Sequence, residues 1–251
     1  MIRLITVDSG SSGNCYVIES TSEEGFAGRL IIEAGVPFNR VQKALKFDLS
    51  GIAGVILSHE HLDHAKYVAD FQKRGIRVYA TDGTLMKLGL LDDVGSNGCE
   101  QMTRKCVYKI GAFHVMPFET EHDAAKPCGF LIDCPDGNRI LFATDTYYIK
   151  YKFPHVNLFM IECNYEESIL QQNIKTGIVH PSVAERVRKS HMSLSQCIAT
   201  LQANDLSETK AVVLIHLSDN NSKEDGFKRR IEEATGKPVY VAQKNLKVSF
   251  F

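Results

Sequence analysis

The segment Ser58-His59-Glu60-His61-Leu62-Asp63-His64 packs four metal-binding side chains into a stretch of six residues. It follows the apolar run Ile52-Ala53-Gly54-Val55-Ile56-Leu57, which reads as a buried strand, so the polar cluster falls in the loop at that strand's end. His59 and His61 are two apart, and in an extended loop their imidazoles leave on the same side. Asp63 and His64 stand where the chain turns into Ala65-Lys66-Tyr67-Val68-Ala69-Asp70-Phe71, a helical pattern. Such a loop offers two imidazoles to one cation and a carboxylate plus an imidazole to a neighbouring one. Neutral imidazole and carboxylate suit zinc and, less selectively, manganese, iron or nickel. The bland alternative is a chance cluster of solvated histidines.

Around this loop strands and helices alternate without a linker, repeat or low-complexity tract. Strand patterns fall at Leu4-Val7, Tyr16-Glu19, Leu30-Glu33, Val55-Leu57, Arg77-Ala80, Ala112-Phe118, Gly129-Asp133, Arg139-Ala143 and Leu158-Ile161. More follow at Ala211-His216, Val239-Val241 and Lys247-Phe250. Helical patterns follow Phe38, Asp63, Thr81, Pro181, Ser193 and Ser222. Ser182-x-x-Glu185 and Ser193-x-x-Gln196 have capping-box spacing, and Thr81-x-x-Thr84 a looser form of it. Pro135-Asp136-Gly137-Asn138 signals a hairpin turn. Periodicity alone stops at a layered mixture of α and β.

Composition excludes several classes. The 29 Lys and Arg against 30 Asp and Glu leave a net charge of -1, so no global basic field advertises nucleic-acid binding, although a local basic rim is compatible with it. Seven cysteines, scattered and without a C-x-x-C pair, read as reduced core residues of a cytoplasmic protein rather than a disulfide frame. No stretch approaches the length of a membrane span and no signal peptide is evident, which points away from membrane partners and from a secreted antibiotic-degrading role.

H-x-H-x-D-H after a buried strand resembles the metallo-β-lactamase superfamily signature, and the likeness extends along the chain. Asp8-Ser9-Gly10-Ser11-Ser12-Gly13-Asn14-Cys15-Tyr16 is similar to the Gly/Ser-rich opening of the YycJ/WalJ-like and tRNase Z-like branches. Glu119-Thr120-Glu121-His122-Asp123-Ala124 resembles the third-histidine motif. Phe142-Ala143-Thr144-Asp145-Thr146 resembles the strand that ends in a metal-bridging aspartate. Leu214-Ile215-His216-Leu217-Ser218 resembles the strand carrying the last histidine. The resemblance implies an α+β fold, the αββα sandwich of two mixed β-sheets flanked by helices, as a single domain over residues 1–251.

It also implies a ligand set: His59, His61 and His122 on one divalent metal, Asp63, His64 and His216 on the second, and Asp145 bridging the two, with zinc or manganese expected. A cation pair of this kind lowers the pKa of a bound water and clamps attacking and leaving oxygens. Taken singly, His122 also reads as a loop histidine, His216 as a satisfied core histidine, and Asp145 as a turn cap. His191, in Ser190-His191-Met192-Ser193, resembles the His-x-Ser/Thr loop in which a histidine meets substrate phosphate or protonates the leaving group. It precedes an expected helix N-terminus, a setting that favours anions, and equally reads as a plain surface histidine. Arg186, Arg188 and Lys189 extend a phosphate-contacting rim or form a solvated helix face. His114 and His155 read as structural or exposed, and His180 as shaping a helix start. One departure stands out: Ile32-Glu33-Ala34-Gly35 has glutamate where similar sequences have an aspartate that supports the metal site.

These signals imply a hydrolase: a dinuclear metal-dependent phosphodiesterase, with Asp63 orienting or deprotonating the water and His191 serving the phosphate or departing oxygen. A nuclease acting on DNA or RNA comes first. A small-molecule or cyclic-nucleotide phosphodiesterase, a thioesterase or lactonase, and a non-catalytic scaffold are the alternatives. A homodimer is compatible with the sequence, which specifies no interface.

Overall fold

The computed structural model describes residues 1–95 and 98–250. In chain order its strands and helices are β1 (Ile2–Asp8), β2 (Cys15–Ser22), β3 (Gly25–Ile32), α1 (Phe38–Ala44), β4 (Ile52–Ile56), α2 (Leu62–Ala65), α3 (Val68–Gln72), β5 (Val78–Thr81), α4 (Asp82–Lys87), β6 (Cys99–Met102), β7 (Tyr108–Ile110), β8 (Phe113–Glu119) and β9 (Cys128–Asp133). There follow β10 (Arg139–Ala143), β11 (Leu158–Glu162), α5 (Glu167–Lys175), α6 (Pro181–Ser190), α7 (Leu194–Ala203), β12 (Ala211–Ile215), α8 (Glu224–Thr235), β13 (Val239–Val241) and β14 (Lys247–Phe250). They make two mixed seven-stranded sheets with flanking helices, in the orders β14-β1-β2-β3-β4-β5-β6 and β13-β12-β11-β10-β9-β8-β7. Two compact units divide the chain: residues 1–119, 124–139 and 243–251, and residues 120–123 and 140–242.

In the first unit β1, β2 and β3 are antiparallel neighbours, whereas β3, β4, β5 and β6 run parallel. Parallel neighbours need crossovers, and α1, α3 and α4 supply them. Val17, Ile31, Val55 and Val78 from these strands pack with Phe38, Val41 and Phe71 from the helices in one buried cluster. Because Ile32 pairs with Ile56, Glu33 and the loop after β4 emerge at the same sheet edge. The helical pattern after Asp63 forms two short pieces, α2 and α3, interrupted at Lys66 and Tyr67. The expected hairpin turn is present: Gly137 takes φ +83° and donates to the Cys134 carbonyl at 3.0 Å.

In the second unit β10, β11, β12 and β13 are parallel, and Ala143 pairs with Ile161 and Glu162 with Ile215. That register brings Asp145, Glu162 and His216 to one edge, at the carboxyl ends of three adjacent strands, where parallel sheets place their sites. A smaller cluster of Tyr165, Leu170, Val179 and Ala184 holds α5 and α6. Ser193 caps α7 by accepting from Gln196 N, as its spacing predicts, and Thr81 caps α4 by accepting from Thr84 N. Ser182 is a correction: it lies inside α6, whose cap is the His180 imidazole accepting from Ser182 N, with Pro181 in the first helical turn. Proline is preorganised for that position and leaves the preceding residue extended, so the cap moves to His180.

Candidate metal centre

The first unit gathers His59, His61, Asp63 and His64. The His59 ring centroid lies 4.6 Å from that of His61 and 4.2 Å from that of His64, and Asp63 Oδ2 is 3.3 Å from His64 Nε2. The Gly/Ser-rich opening buttresses this loop. Asn14 N donates to the Asp63 carbonyl at 2.7 Å, Gly35 N to the Asn14 carbonyl at 2.9 Å, and Ala34 N to the His64 carbonyl at 2.7 Å. The three backbones approach so closely that a Cβ on Gly35 would stand 1.8 Å from the Asp63 carbonyl oxygen. Glycine is therefore required there by the space itself.

Glu33 is wholly buried behind the loop. It accepts from Ser58 N at 3.2 Å, and its Oε1 faces His64 Nδ1 at 3.6 Å. Burial pushes its carboxyl above the ordinary range, with His64 and Ser58 pulling the other way. Its backbone takes φ +67°, an uncommon conformation for a residue with a side chain. The glutamate thus stands behind a histidine, at ion-pair rather than hydrogen-bond distance from its Nδ1. Ser58 Oγ hydrogen-bonds His59 Nδ1 at 2.8 Å.

The second unit gathers His122, Asp145, His191 and His216, together with Glu162, which the sequence reading missed. Glu162 is the hub. Its Oε2 accepts from Thr146 N at 2.9 Å and Met192 N at 3.1 Å, while its Oε1 takes His191 Nδ1 at 2.7 Å and His216 Nδ1 at 3.2 Å. The loop carrying His191 is held there because Asn164 N donates to the Met192 carbonyl at 2.9 Å and Leu194 N to the Tyr165 carbonyl at 2.8 Å. His122 Nδ1 donates to the Ser190 carbonyl at 3.0 Å, and its Nε2 lies 3.8 Å from Asp145 Oδ1. Asp145 Oδ1 is also 3.4 Å from His191 Nδ1, and Oδ2 is 3.8 Å from His216 Nδ1. Asp145 and His216 take φ +47° and +54°, strain of a kind that gathers at functional sites.

One donor atom each from Asp145, Glu162, His191 and His216 lies within 4.8 Å of the others, a spacing compatible with a cation. Glu162 nevertheless suits orientation better than ligation, because four N–H groups already occupy its two oxygens. The histidines of the second unit share one pattern. Carbonyl and carboxylate oxygens can only accept, so the contacts at Nδ1 of His122 and His216 put the proton there and the lone pair on Nε2. Holding one ring nitrogen to prepare the other is how proteins orient metal-ligating imidazoles, so this donor set fits divalent metal.

The charge balance separates the two outer histidines. Burial opposes protonation of His191, but Glu162 and then Asp145 outweigh it, and its pKa lies above the ordinary imidazole value. For His122 burial wins over Asp145 and Glu162, and its pKa is lowered. Burial would raise the Glu162 carboxyl, yet His191 and His216 hold it below the ordinary range.

Arg186 pairs with Asp123 at 3.1 Å, Arg188 with Glu167 at 2.6 Å and Lys189 with Glu185 at 2.7 Å, so these cations serve surface pairs on α6. His114 is exposed on β8, and His155 pairs with Glu208 at the surface. Of the seven cysteines only Cys106 is exposed. No helix among the described residues is long and apolar enough to cross a membrane.

Comparison with known proteins agrees with this architecture. Residues 29–217 match the β-lactamase superfamily domain. The chain is 27% identical over 233 residues to exodeoxyribonuclease YycJ of Bacillus anthracis, covering 86% of this chain and 83% of that protein. Among solved structures, the metallo-β-lactamase fold protein YhfI of Bacillus subtilis superposes with a TM-score of 0.72 at 14% identity, over 98% of each chain. Zinc-bound PqqB of Methylobacterium extorquens superposes with a TM-score of 0.69 at 13% identity, over 99% of this chain and 100% of its own. The chain is a hydrolase that belongs to the β-lactamase superfamily and has the metallo-β-lactamase fold.

Proposed function

We propose that residues 1–251 act as one cytoplasmic catalytic domain, a dinuclear metal-dependent phosphodiesterase whose first substrate class is DNA or RNA. The observation that carries this reading is Glu162 holding His191 and His216 on one carboxylate oxygen beside Asp145. It couples an imidazole biased toward its protonated form to residues of the ligand type. In this reading His59, His61 and His122 hold one ion, Asp63, His64 and His216 hold the other, and Asp145 serves both. Zinc or manganese would supply Lewis acidity to the phosphoryl oxygens and a lowered pKa to the attacking water.

The chain's own residues do the rest. Glu162 fixes the His191 and His216 imidazoles from behind, and Glu33 adds its charge behind His64. Asp63, whose side chain is 24% exposed, would orient the attacking water. His191 presents Nε2 to the substrate, because Nδ1 is committed to Glu162. Protonated, it neutralises a phosphate oxygen and then delivers a proton to the departing alkoxide. The relative's name, exodeoxyribonuclease, supports a nucleic-acid substrate.

The test is a product analysis. Zinc- or manganese-loaded protein given end-labelled DNA and RNA strands and, separately, cyclic nucleotides should release nucleotides from at least one polymer. Hydrolysis of cyclic nucleotides alone would transfer the assignment to a small-molecule phosphodiesterase.

A further inference from the structure

Immediately after Asp145 the chain reads Thr146-Tyr147-Tyr148-Ile149-Lys150-Tyr151-Lys152-Phe153, three tyrosines and two lysines in eight residues. The catalytic reading above uses only the first of these. Thr146 is wholly buried, and its N–H donates to Glu162 while its Oγ1 donates to the Tyr148 carbonyl at 2.8 Å. Further along, Ile149 and Phe153 are buried, and Phe153 N donates to Asn204 Oδ1 at 2.8 Å. The segment is thus tied down at both ends. Between the anchors Tyr147 and Tyr148 are 44% and 45% exposed, and Lys150 and Lys152 are exposed as well. Lys150 Nζ lies over the Tyr151 ring at 5.5 Å from its centroid and 3.9 Å from Glu121.

Isolated exposed aromatics are ordinary on protein surfaces. Two adjacent ones on a backbone pinned to the Glu162 hub are a different matter. Tyr147 is two residues from Asp145, so their Cα atoms are at most about 7 Å apart, close to one nucleotide of extended strand. Tyrosine rings in this position suit the flat faces of unpaired bases, and the lysines suit the phosphates between them. A paired duplex hides those faces.

We propose that Tyr147 and Tyr148 form a stacking platform for the bases of single-stranded nucleic acid flanking the scissile phosphate, with Lys150 and Lys152 following the backbone. This inference rests on the phosphodiesterase reading and deepens it, naming single strands as the substrate form.

The test measures binding of fluorescent phosphorothioate oligonucleotides, which resist hydrolysis, to metal-loaded protein by anisotropy. The Tyr147→Leu/Tyr148→Leu variant should bind single strands roughly 5- to 150-fold more weakly for each base stacked, whereas Tyr147→Phe/Tyr148→Phe should stay close to the parent protein. Abasic sites at the strand's terminal positions should weaken binding to the parent by the same factor and leave the leucine variant's affinity where it was. DNA and RNA versions of the strand report which sugar is preferred.

Equal affinity of the leucine variant and the parent would overturn the platform. So would a variant that loses normal and abasic strands alike, or one that changes from dimer to monomer with binding unaltered, which would make the patch a self-association surface. Thermal melting of each variant checks that the fold is intact. Turnover of bis(p-nitrophenyl) phosphate by the parent separates the two readings. Turnover with indifferent tyrosines removes only the platform; stacking without turnover removes only the phosphodiesterase.

Discussion

Replacing Glu162 with glutamine removes one carboxylate oxygen and keeps the shape. Oε1 accepts two imidazole N–H groups and Oε2 two backbone N–H groups. The glutamine amide can turn its oxygen to only one pair, so its NH2 faces two donors wherever it points. Two charge-assisted hydrogen bonds are lost, about 3–6 kcal/mol at ~1.5–3 kcal/mol each. Part returns because a charge no longer has to be buried, leaving a net destabilisation of about 2–4 kcal/mol. Urea unfolding of the chelated protein should show a lower midpoint with an unchanged slope. If the amide displaces the imidazole N–H groups, His216 loses the partner that fixes its tautomer, and metal affinity should fall about 10- to 100-fold, read by competition with a chromophoric chelator. Glu162→Ala would take the acceptor from four donors, three of them buried, and is expected not to fold. A glutamine variant within ~0.5 kcal/mol of the parent, with unaltered metal affinity, would refute the hub.

Other outcomes follow from the same structure. In chelated protein, two-dimensional NMR of the imidazoles should show His191 titrating above and His122 below the ordinary value of 6.5. The signs differ in consequence: His191's share of stability is whole below pH 6.5 and fades as pH rises through its raised folded pKa, while His122's share is absent below its lowered pKa and complete above pH 6.5. A reversed order of the two titrations would break the charge assignment. Gly35→Ala forces a Cβ to 1.8 Å from the Asp63 carbonyl oxygen and 2.6 Å from Asn14 N, and should cost about 3 kcal/mol with loss of metal binding; an unchanged melting temperature would deny the close approach. Native alkylation at pH 8 should modify Cys106 alone, since Cys99 is pushed up to about 11 by burial and the other five are buried; mass spectrometry counts the adducts.

Much of the site was legible because its residues mark strand ends. The H-x-H-x-D-H loop, Asp145 and His216 each follow an apolar run, a signal that needs no tertiary information. Glu162 ends a strand in the same way, yet the run Leu158-Phe159-Met160-Ile161 read as core, and a single acid beside Cys163 carries no motif spacing. Its importance arises from the β10–β11–β12 register and from the backbone pairing that carries His191 to it, neither of which is local. The strand β6, four residues of mixed polarity, exists through its pairing with β5 and so left no periodic trace. Helix α5 buries only Leu170 and Asn173, too narrow a stripe to stand out. Glu33 was visible as a departure, but its adaptation required the geometry: φ +67° and the approach to His64 are tertiary facts.

A metal-dependent phosphodiesterase should hydrolyse bis(p-nitrophenyl) phosphate when loaded with zinc or manganese, an assay run beside Asp63→Asn with its bound metal measured. Turnover by the parent protein is expected, with a loss of about 100-fold or more in the variant, the scale of a positioned acid–base group. Two bound ions with no turnover under either metal would contradict the phosphodiesterase reading and move thioesters and lactones to the front.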